Sequence, residues 1–478
     1  MQDDGWDIQR ILIDTAKSCG LRLPVLSRMR ITGADPVVPS RHRIGAAAAI
    51  SAGLQAAGIA RMWELRSGQD QEVRLDVRRA VVPGLRTISH IRRNGHAVAE
   101  IPGSRIAPIG MNRTRDGRWF WLAGVSMYPD QLITSLDVLK SASDPESVAR
   151  AVAGRDAEEL EEAFAHAGLP GAFSRSREEW ARHPQGRLLQ RLGPVRIEKV
   201  RDGEPVRLPM GGRPLSGVRV LDLSHVLAGP VTGRTLAEQG AEVLQILSPN
   251  RIEPLSVTLD TAWGKRSAHL DLGRAADAEQ ARKLAAEADV IICSYRTGAM
   301  DRHGLGPNDF LNVPGKVYVS VTAYGGKGPW RHRRGYDPVG QLVCGLAISE
   351  GSMGRPKLAA TVTLNDYLTA YFGAAGAVTG LIRRWEEGGS YHVHVSLTQS
   401  SMWLLDLGMA PVADIDPSSL PDLSDDDLTP PIASAFGELI VPKPLAHYTR
   451  TPAYWGSPPA PTGSSLPLWS TAIQGISS

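Results

Sequence analysis

Short runs of apolar residues alternate with helical patterns between residues 217 and 408, and this alternation restricts the fold more than any other feature of the chain. Runs rich in Val, Ile and Leu lie at 218–223, 242–247, 290–293, 317–321 and 391–397. Helical patterns lie at 231–239, 275–287, 337–349 and 366–385, and a further helix follows to about residue 408. Strands without polar alternation are typical of a parallel sheet that helices cover on both faces. The sequence therefore predicts an α/β fold whose doubly wound parallel-sheet domain spans 217–408.

The first 200 residues show a different pattern, mainly helical with one clear strand. Helical patterns lie at 44–66, 71–91, 129–139, 145–153 and 155–167, and a strand is predicted at 119–123. We expect a helical segment at 1–100 and a smaller α+β domain at 101–200. A linker rich in Gly, Pro and charge spans 201–216. The Pro- and Ser-rich stretch 409–478 has little periodicity and is expected to be an extended or partly disordered tail.

Charge and composition exclude several classes of partner. The 478 residues contain 53 Lys and Arg against 50 Asp and Glu, a net charge of +3 that is too small to indicate a nucleic-acid partner. The uncharged stretch 44–60 is shorter than the roughly 20 residues that cross a membrane, so it predicts a buried helix and no membrane partner. Three widely spaced cysteines and an acidic start indicate free thiols and a cytoplasmic location.

The turn that leaves the first strand of the α/β domain, 221–230, is the first candidate binding element. The carboxyl ends of parallel strands and the helix N-termini beside them favour anionic ligands. The turn lacks both Gly-x-Gly-x-x-Gly and the P-loop pattern, so it could equally be an ordinary turn in which Gly229-Pro230 begins a helix. Basic residues recur in loops expected at the same edge, which suits separated phosphates: Lys265, Arg266, Arg296, Arg302 and 331–334.

Asp366 is the strongest single candidate for chemistry. It stands at the start of a helix of small residues, where a carboxylate could cap the helix N-terminus or act as a nucleophile, and the two roles are compatible. The other candidates for a chemical role are weaker. His392 and His394 offer only two ligands, so no metal site is predicted. Cys344 lies in an apolar helix and is expected to be a packing residue.

Six blocks in order resemble the class III CoA-transferases, the CaiB/BaiF group that includes formyl-CoA transferase. The blocks are 217–230, 264–272, 288–290, 298–302, 335–337 and Asp366 with its helix. The resemblance implies the CoA-transferase-like fold and makes Asp366 the catalytic aspartate. It implies that the CoA site is built from His225, Val226, Leu227, Ala228, Lys265, Arg266, Tyr295, Arg302, Arg334 and Tyr336. Among these, Lys265, Arg302 and Arg334 would contact the phosphates or the pantetheine arm, and Tyr336 would lie near the thioester.

The activity implied by the resemblance is transfer of CoA from an acyl-CoA thioester to a carboxylic acid, through an aspartyl anhydride and an aspartyl-CoA thioester. No cofactor is implied beyond CoA as co-substrate, and the expected assembly is a homodimer. Two alternatives are an acyl-CoA racemase, whose second base would be a His where this chain has Tyr336, and a non-catalytic CoA-binding protein, against which the retained Asp366 argues.

Leu227 stands where formyl-CoA transferase has Gln, and the family's glycine-rich loop has no obvious match in this chain. These departures argue against formyl transfer and predict larger, more apolar acid partners.

The N-terminal half also resembles the family, in inverted order. Segments 116–119, 157–164 and 178–186 are similar to the family's small domain and returning segment. The helix at 44–66 resembles the helix after Asp366, and 68–73 parallels 388–393. The first copy has 43–46, Arg-Ile-Gly-Ala, where the aspartate would be. We therefore expect a truncated, catalytically inactive repeat whose small domain serves the second copy.

Overall fold

The computed structural model describes residues 6–82, 84–85, 87–98, 110–122, 128–251, 253–361, 363–411 and 423–470. The helices are α1 (Ile8–Ser18), α2 (Ile44–Ser67), α3 (Val77–Val81), α4 (Thr87–His90), α5 (Pro129–Leu139), α6 (Pro145–Ala153), α7 (Ala157–His166), α8 (Arg177–Arg182), α9 (Pro184–Leu189), α10 (Ala228–Ala237), α11 (Leu255–Thr261), α12 (Ala275–Glu287), α13 (Pro307–Leu311), α14 (Asp337–Val343), α15 (Leu346–Glu350), α16 (Leu364–Glu387) and α17 (Leu397–Asp406). The strands are β1 (Met29–Thr32), β2 (Val73–Asp76), β3 (Arg92–Arg93), β4 (His96–Ala97), β5 (Gly110–Arg113), β6 (Trp119–Leu122), β7 (Gly171–Phe173), β8 (Val195–Arg201), β9 (Arg219–Leu223), β10 (Glu242–Leu247), β11 (Lys265–His269), β12 (Val290–Cys293), β13 (Val317–Thr322), β14 (Ser390–Ser396), β15 (Ile432–Ser434), β16 (Gly437–Ile440) and β17 (His447–Tyr448).

A seven-stranded sheet in the order β11-β10-β9-β12-β13-β14-β8 forms the centre of the molecule. The first six strands in this order are parallel, and β8 pairs antiparallel with β14 at one edge. Successive side chains along the strands enter two different cores, so that Val220 packs with α2, α10 and α16 while Leu221 packs with α12. Helices thus cover both faces, which confirms the predicted doubly wound α/β fold.

A second sheet, β1-β2-β17, lies on the far side of the long helices. β1 and β2 are parallel, and β17 pairs antiparallel with β2. Between the two sheets, α2 packs against α16 so closely that a Cβ at Gly58 would lie 3.0 Å from the Val378 side chain. α2 is long and apolar enough to cross a membrane, but 94% of its most apolar window is buried inside the protein. It is a core helix, as its sequence predicts.

The small domain is an antiparallel sheet, β5-β6-β7, with helices packed on one face. Its core contains Phe120, Leu160 and Phe164, whose aromatic rings meet edge to face at 5.2 Å. The strand predicted at 119–123 is β6, with residue 123 outside the described residues. The helices predicted at 129–139 and 145–153 match α5 and α6, and the one at 155–167 matches α7 within two residues.

Two of the predicted helices differ from the structure. Segment 71–91 contains β2, α3 and α4 rather than one helix, because Val73 and Leu75 alternate inward as in a strand and the Asp76 carboxylate then caps α3 by accepting the Arg79 N–H at 3.1 Å. Segment 337–349 is divided into α14 and α15 at Gly345, whose φ of 96° cannot continue a helix. The other predicted helices and strands of the α/β domain are present, with ends shifted by three residues or fewer.

Residues 423–470 are not the extended tail that the sequence predicts. β16 pairs with β3, and β17 pairs with β2, so this segment joins sheets begun by the first hundred residues. Tyr448 and Trp469 are each 1% exposed, and Trp469 packs in the core beneath β9 and β10. Such non-local burial leaves no periodic pattern in a Pro-rich sequence, because the chain contacts the core at isolated side chains rather than along a regular face.

Candidate active site

The candidate site lies where the order of the parallel strands reverses, between β9 and β12. The turns after these strands diverge there and open a crevice, which is where open α/β sheets bind ligands. The His225 backbone N–H donates to the Ser294 Oγ at 3.1 Å and so ties the two turns together. A cavity of about 300 Å³ occupies the crevice.

The turn after β9 is a strained one. Val226 has φ of 66°, in the left-handed region that a β-branched side chain rarely adopts. The Glu253 carboxyl lies beside this turn, and burial raises its pKa. α10 then begins at Ala228, so that Gly229-Pro230 forms its first turn as the sequence predicts. Backbone strain that the surroundings maintain is characteristic of ligand-binding and catalytic turns.

Asp366 is the third residue of α16 and lines the cavity from below. The side chain is 9% exposed, and burial raises the pKa of its carboxyl to about 7. Its oxygens accept no hydrogen bond from any residue that the structure describes, so the carboxylate does not cap its own helix. The capping group is instead Asp337, whose Oδ2 accepts the backbone N–H groups of Asn365 and Asp366, the latter at 3.2 Å.

Four arginines give the cavity an uncompensated positive charge. Arg251, Arg296, Arg302 and Arg334 all line it, and within the described ranges none of them forms an ion pair. Burial and the charges of Arg334 and Arg302 lower the pKa of Arg296, which shows that like charges converge there. By contrast, Arg333 on the same wall is paired with Glu162 and Glu161. Unpaired guanidinium groups around one crevice suit a ligand with several anionic groups.

Aromatic rings also line the cavity, and the Arg251 guanidinium lies over two of them, 5.1 Å from Tyr128 and 5.4 Å from Tyr295. Tyr128, at the start of α5 in the small domain, stacks on Tyr336 at 6.3 Å and meets His225 edge to face at 6.2 Å. Tyr295 lies 4.8 Å from His225 on the other side. Burial and the charges of Arg251 and Arg334 lower the pKa of His225 to about 3, so its imidazole is neutral at physiological pH. The small domain thus closes the cavity with an apolar wall.

Most of the residues that the sequence singles out meet in this one cavity. Those that line it are Asp366, His225, Val226, Leu227, Ala228, Tyr295, Arg302, Arg334 and Tyr336.

Lys265 and Arg266 do not line the cavity. The Lys265 ammonium is buried and bonded to the Asp222 carboxylate at 3.0 Å and to the Pro230 carbonyl at 3.1 Å. Arg266 pairs with Glu242 at 2.7 Å. These two ion pairs therefore connect strands and turns within the α/β domain.

Sequence reasoning missed several residues that complete the cavity: Tyr128, Gln131, Arg251 and Ser294. Tyr128 and Gln131 come from the small domain, about 100 residues before the turn at 225, and no local pattern marks their approach to it. Gln131 lies 3.4 Å from the Tyr336 hydroxyl. Ser294 directly follows β12 and Arg251 lies four residues after β10, so the rule that ligands bind at the carboxyl ends of parallel strands could have identified both.

Other residues considered in the sequence have structural partners. The His392 Nε2 lies 2.9 Å from the Ser320 hydroxyl, and the His394 Nε2 lies 3.3 Å from the Glu198 carboxylate. Over the part of the chain that the structure describes, no three His, Cys, Asp or Glu side chains are grouped so as to hold a metal ion. Cys344 is buried, as a packing residue would be.

Comparison with known proteins gives a family match over the α/β domain. Residues 215–416 match the family described as CoA-transferase family III. The acetyl-coenzyme A transferase nodX of Hypoxylon pulicicidum is 37% identical over 200 residues, which are 40% of this chain and 34% of that protein. The succinyl-CoA–L-malate CoA-transferase alpha subunit of Chloroflexus aurantiacus is 31% identical over 221 residues, 42% of this chain and 52% of that protein.

Among solved structures, a CaiB/BaiF family protein from Brucella suis is 29% identical and covers 41% of this chain and 56% of that one, with a TM-score of 0.37. The chain therefore spans about half, or less, of the length of each of these relatives.

Proposed function

We propose that this protein, whose residues 215–416 match CoA-transferase family III, moves CoA from an acyl-CoA thioester to a carboxylic acid with Asp366 as the nucleophile. The observation that carries the proposal is the position of Asp366. Its carboxylate, without a hydrogen-bond partner among the described residues, lies on a cavity that is also lined by four arginines without an ion-pair partner among those residues. A nucleophile and a polyanion site in one crevice are what a reaction on an acyl-CoA requires.

The reaction proceeds in four balanced steps. The Asp366 carboxylate attacks the thioester carbonyl, the C–S bond breaks, and CoA leaves as a thiolate with a mixed anhydride on Asp366. The thiolate then attacks the aspartyl carbonyl and displaces the donor acid as a carboxylate. The acceptor carboxylate attacks the resulting aspartyl-CoA thioester and expels the thiolate. The thiolate finally attacks the acyl carbonyl of the second anhydride, which releases the new acyl-CoA and regenerates Asp366.

The surrounding residues serve binding and exclusion of water. Arg296, Arg302 and Arg334 would bind the phosphates of CoA, because a guanidinium can fork two hydrogen bonds to a phosphate. The wall of Tyr128 and Tyr336 would limit access of water to the anhydride, which hydrolysis would otherwise destroy. CoA is the only co-substrate in this scheme, and no step needs a further cofactor.

The direct test is Asp366→Asn, an isosteric change that removes the nucleophile. Acetyl-CoA and succinyl-CoA would be offered as donors with a panel of mono- and dicarboxylic acids, and formation of new acyl-CoA would be followed by mass spectrometry. Hydroxylamine added during turnover should trap an aspartyl hydroxamate at residue 366 in the unaltered protein and not in the variant. Transfer that continues unchanged in Asp366→Asn would refute the assignment of the nucleophile.

Two other outcomes would point to the alternatives. A racemase would wash deuterium from solvent into the α-carbon of a 2-methylacyl-CoA, whereas a transferase would not. A non-catalytic CoA-binding protein would retain CoA without either reaction. Mass spectrometry of ligands retained on the purified protein would narrow the donor, since the relatives' names mention acetyl, succinyl and malate groups and thus do not agree on one substrate.

We further propose that the N-terminal region is a truncated second copy of the family unit without its nucleophile. Supporting this, α2 and α16 have 24 residues each, and each ends at a glycine that precedes a strand in a parallel pair. Ala46 occupies in α2 the place that Asp366 has in α16. In each sheet, the strand that follows the long helix also pairs antiparallel with a strand from the other half of the chain, β2 with β17 and β14 with β8.

Assembly as a homodimer and a cytoplasmic location also stay predictions. A dimer would have twice the 51.4 kDa mass of the chain in light scattering. The packing of α2 on α16 offers an internal alternative, in which one chain holds both halves of the interface. A monomeric mass with full activity would favour that alternative.

A further inference from the structure

Asp337 holds the first turn of the helix that carries Asp366. It lies at the start of α14, is 2% exposed, and accepts the backbone N–H groups of both Asn365 and Asp366. Its own backbone carbonyl accepts the Asn365 side-chain amide at 3.2 Å. The N–H groups of the first turn have no partner within a helix, so an external acceptor is needed to keep that turn formed.

The orientation of the Asp366 side chain depends on this backbone anchor. Its carboxylate has no hydrogen-bond partner of its own within the described segments, so only the backbone and packing direct it into the cavity. Asn365 is anchored a second time, because its side-chain oxygen accepts from the Ser401 hydroxyl at 2.7 Å on α17. Two neighbouring elements, α14 and α17, therefore fix the turn that presents the carboxylate.

The same anchor occurs in the N-terminal region, where no nucleophile follows it. The two carboxylate oxygens of Asp35 accept the backbone N–H groups of Gly45 and Ala46, each at 2.8 Å. These are the second and third residues of α2, as Asn365 and Asp366 are of α16. Both aspartates stand in the sequence Gly-x-Asp-Pro-Val, at 33–37 and 335–339. The anchor and the nucleophile are thus separable features of the fold.

We propose that Asp337 is a positioning residue, whose carboxylate fixes the first turn of α16 so that Asp366 faces the bound thioester. The inference rests on the proposed function, in which Asp366 attacks that thioester. Displacement of a reacting group by about 1 Å can lower a rate by about 100-fold without changing substrate affinity. Asp337 acts through the backbone of residues 365 and 366, whereas Arg296 and Arg302, which would bind CoA, follow β12.

The test compares matched substitutions at the two anchors. Asp337→Ala and Asp35→Ala remove the same pair of backbone contacts, and we expect both to lower the unfolding midpoint by comparable amounts. Only Asp337→Ala should lower kcat, by about 100-fold, with the KM for acyl-CoA nearly unchanged. Asp337→Asn keeps an acceptor oxygen toward the two N–H groups and should recover most of kcat. The Gln341 side-chain amide, which donates to the other Asp337 oxygen, would have to readjust.

A third variant covers the case in which Asp337→Ala does not fold. Ser401→Ala loosens the same turn from α17 and leaves Asp337 in place, and we expect a smaller loss of kcat with KM unchanged. The proposal is overturned if Asp337→Ala and Asp35→Ala give equal kcat, if Ser401→Ala leaves kcat unchanged, or if Asp337→Asn is as inactive as Asp366→Asn. The last result would show a role in proton or charge chemistry rather than in positioning. If Asp366→Asn keeps full activity, the proposed function fails instead.

Discussion

The N-termini of α2 and α16 are built alike and differ in what surrounds them. Each helix has 24 residues, and an aspartate before a proline accepts the N–H groups of its second and third residues. Ala46 is 1% exposed and lies in a closed core, whereas Asp366 opens on a cavity. The aspartate before the proline therefore serves to begin a helix in both regions. A binding site requires in addition the turns after β9 and β12 and a wall from the small domain.

The largest effect is expected from exchanging the side chains at these two positions. Asp366→Asn should lower turnover by roughly 10⁴-fold, because loss of a nucleophile removes the covalent route. Adding Ala46→Asp to that variant should restore no transfer, since residue 46 is buried and, among the described residues, no arginine-lined cavity faces it. Burial of an unpaired carboxylate there should also destabilise the protein by about 3 kcal/mol or more. Measurable transfer by the double variant would show that α2 also faces a binding site.

A second difference between the two regions is unpaired positive charge. Arg334→Ala should raise the KM for acyl-CoA by about 10- to 100-fold with little change in kcat, because a charge-assisted hydrogen bond contributes about 1.5–3 kcal/mol. Arg74→Ala on β2 is the matched control, since Arg74 is exposed and paired with Glu72 at 2.9 Å. The measurement is steady-state kinetics at two salt concentrations, and an equal KM in both variants would contradict the proposed phosphate site.

The pH dependence should also distinguish Asp366 from the apolar residue in its place on α2. Burial raises the pKa of Asp366 from its ordinary 3.8 to about 7, and the nucleophile is the ionised form. We therefore expect kcat/KM to fall about tenfold per pH unit below pH 7. A flat profile between pH 5 and 7 would contradict this.

The same raised pKa should be visible in stability. The folded protein holds this proton up to a higher pH than the unfolded chain, so the group's contribution to the free energy of unfolding is lost as pH rises from about 4 to 7. In Asp366→Asn, the free energy of unfolding should fall less steeply with pH than in the unaltered protein, by at most about 1.4 kcal/mol per pH unit. Denaturant unfolding at several pH values measures this difference.

The smallest effect concerns the choice of acid at the mouth of the cavity. Leu227 is 5% exposed and lies beside the strained Val226. Leu227→Gln should shift the ratio of kcat/KM for short over long acids by about tenfold in favour of short ones, the usual scale of selectivity from one apolar contact. Competition between acids of increasing chain length would measure this selectivity. The change is expected in the ratio of kcat/KM values for short and long acids and not in the affinity for CoA.

The α/β domain could be predicted from sequence because its signals are local. Each buried parallel strand is a compact apolar run, such as 290–293, and the helices between them have their own periodicity. The sequence does not indicate β2, because its four residues lie inside the helical pattern at 71–91. Its partners are β1 and β17, the latter more than 370 residues away. The burial of Trp469 is equally non-local.

The residues of the candidate site also divide into those that local sequence signals indicate and those that they do not. His225, Tyr295 and Asp366 follow strand ends or open a helix, so their convergence could be expected from the fold alone. Lys265 and Arg266 are the first two residues of β11. Whether a basic side chain there faces a ligand or an internal carboxylate such as Asp222 depends on side-chain direction within the folded sheet. Tyr128 reaches the cavity only through docking of the small domain, which no sequence spacing reports.

The pairing of β8 with β14 has a consequence for synthesis on the ribosome. β8 completes the edge of a sheet whose other strands are all translated later, and its partner emerges almost 200 residues after it. At about 5–20 residues per second, the first half waits some tens of seconds with an unsatisfied strand, which is a period of exposure to aggregation. Neither half is therefore expected to be a self-sufficient folding unit. Chaperone capture of nascent chains should fall once residue 396 has left the exit tunnel and end only after β17 and Trp469 have followed.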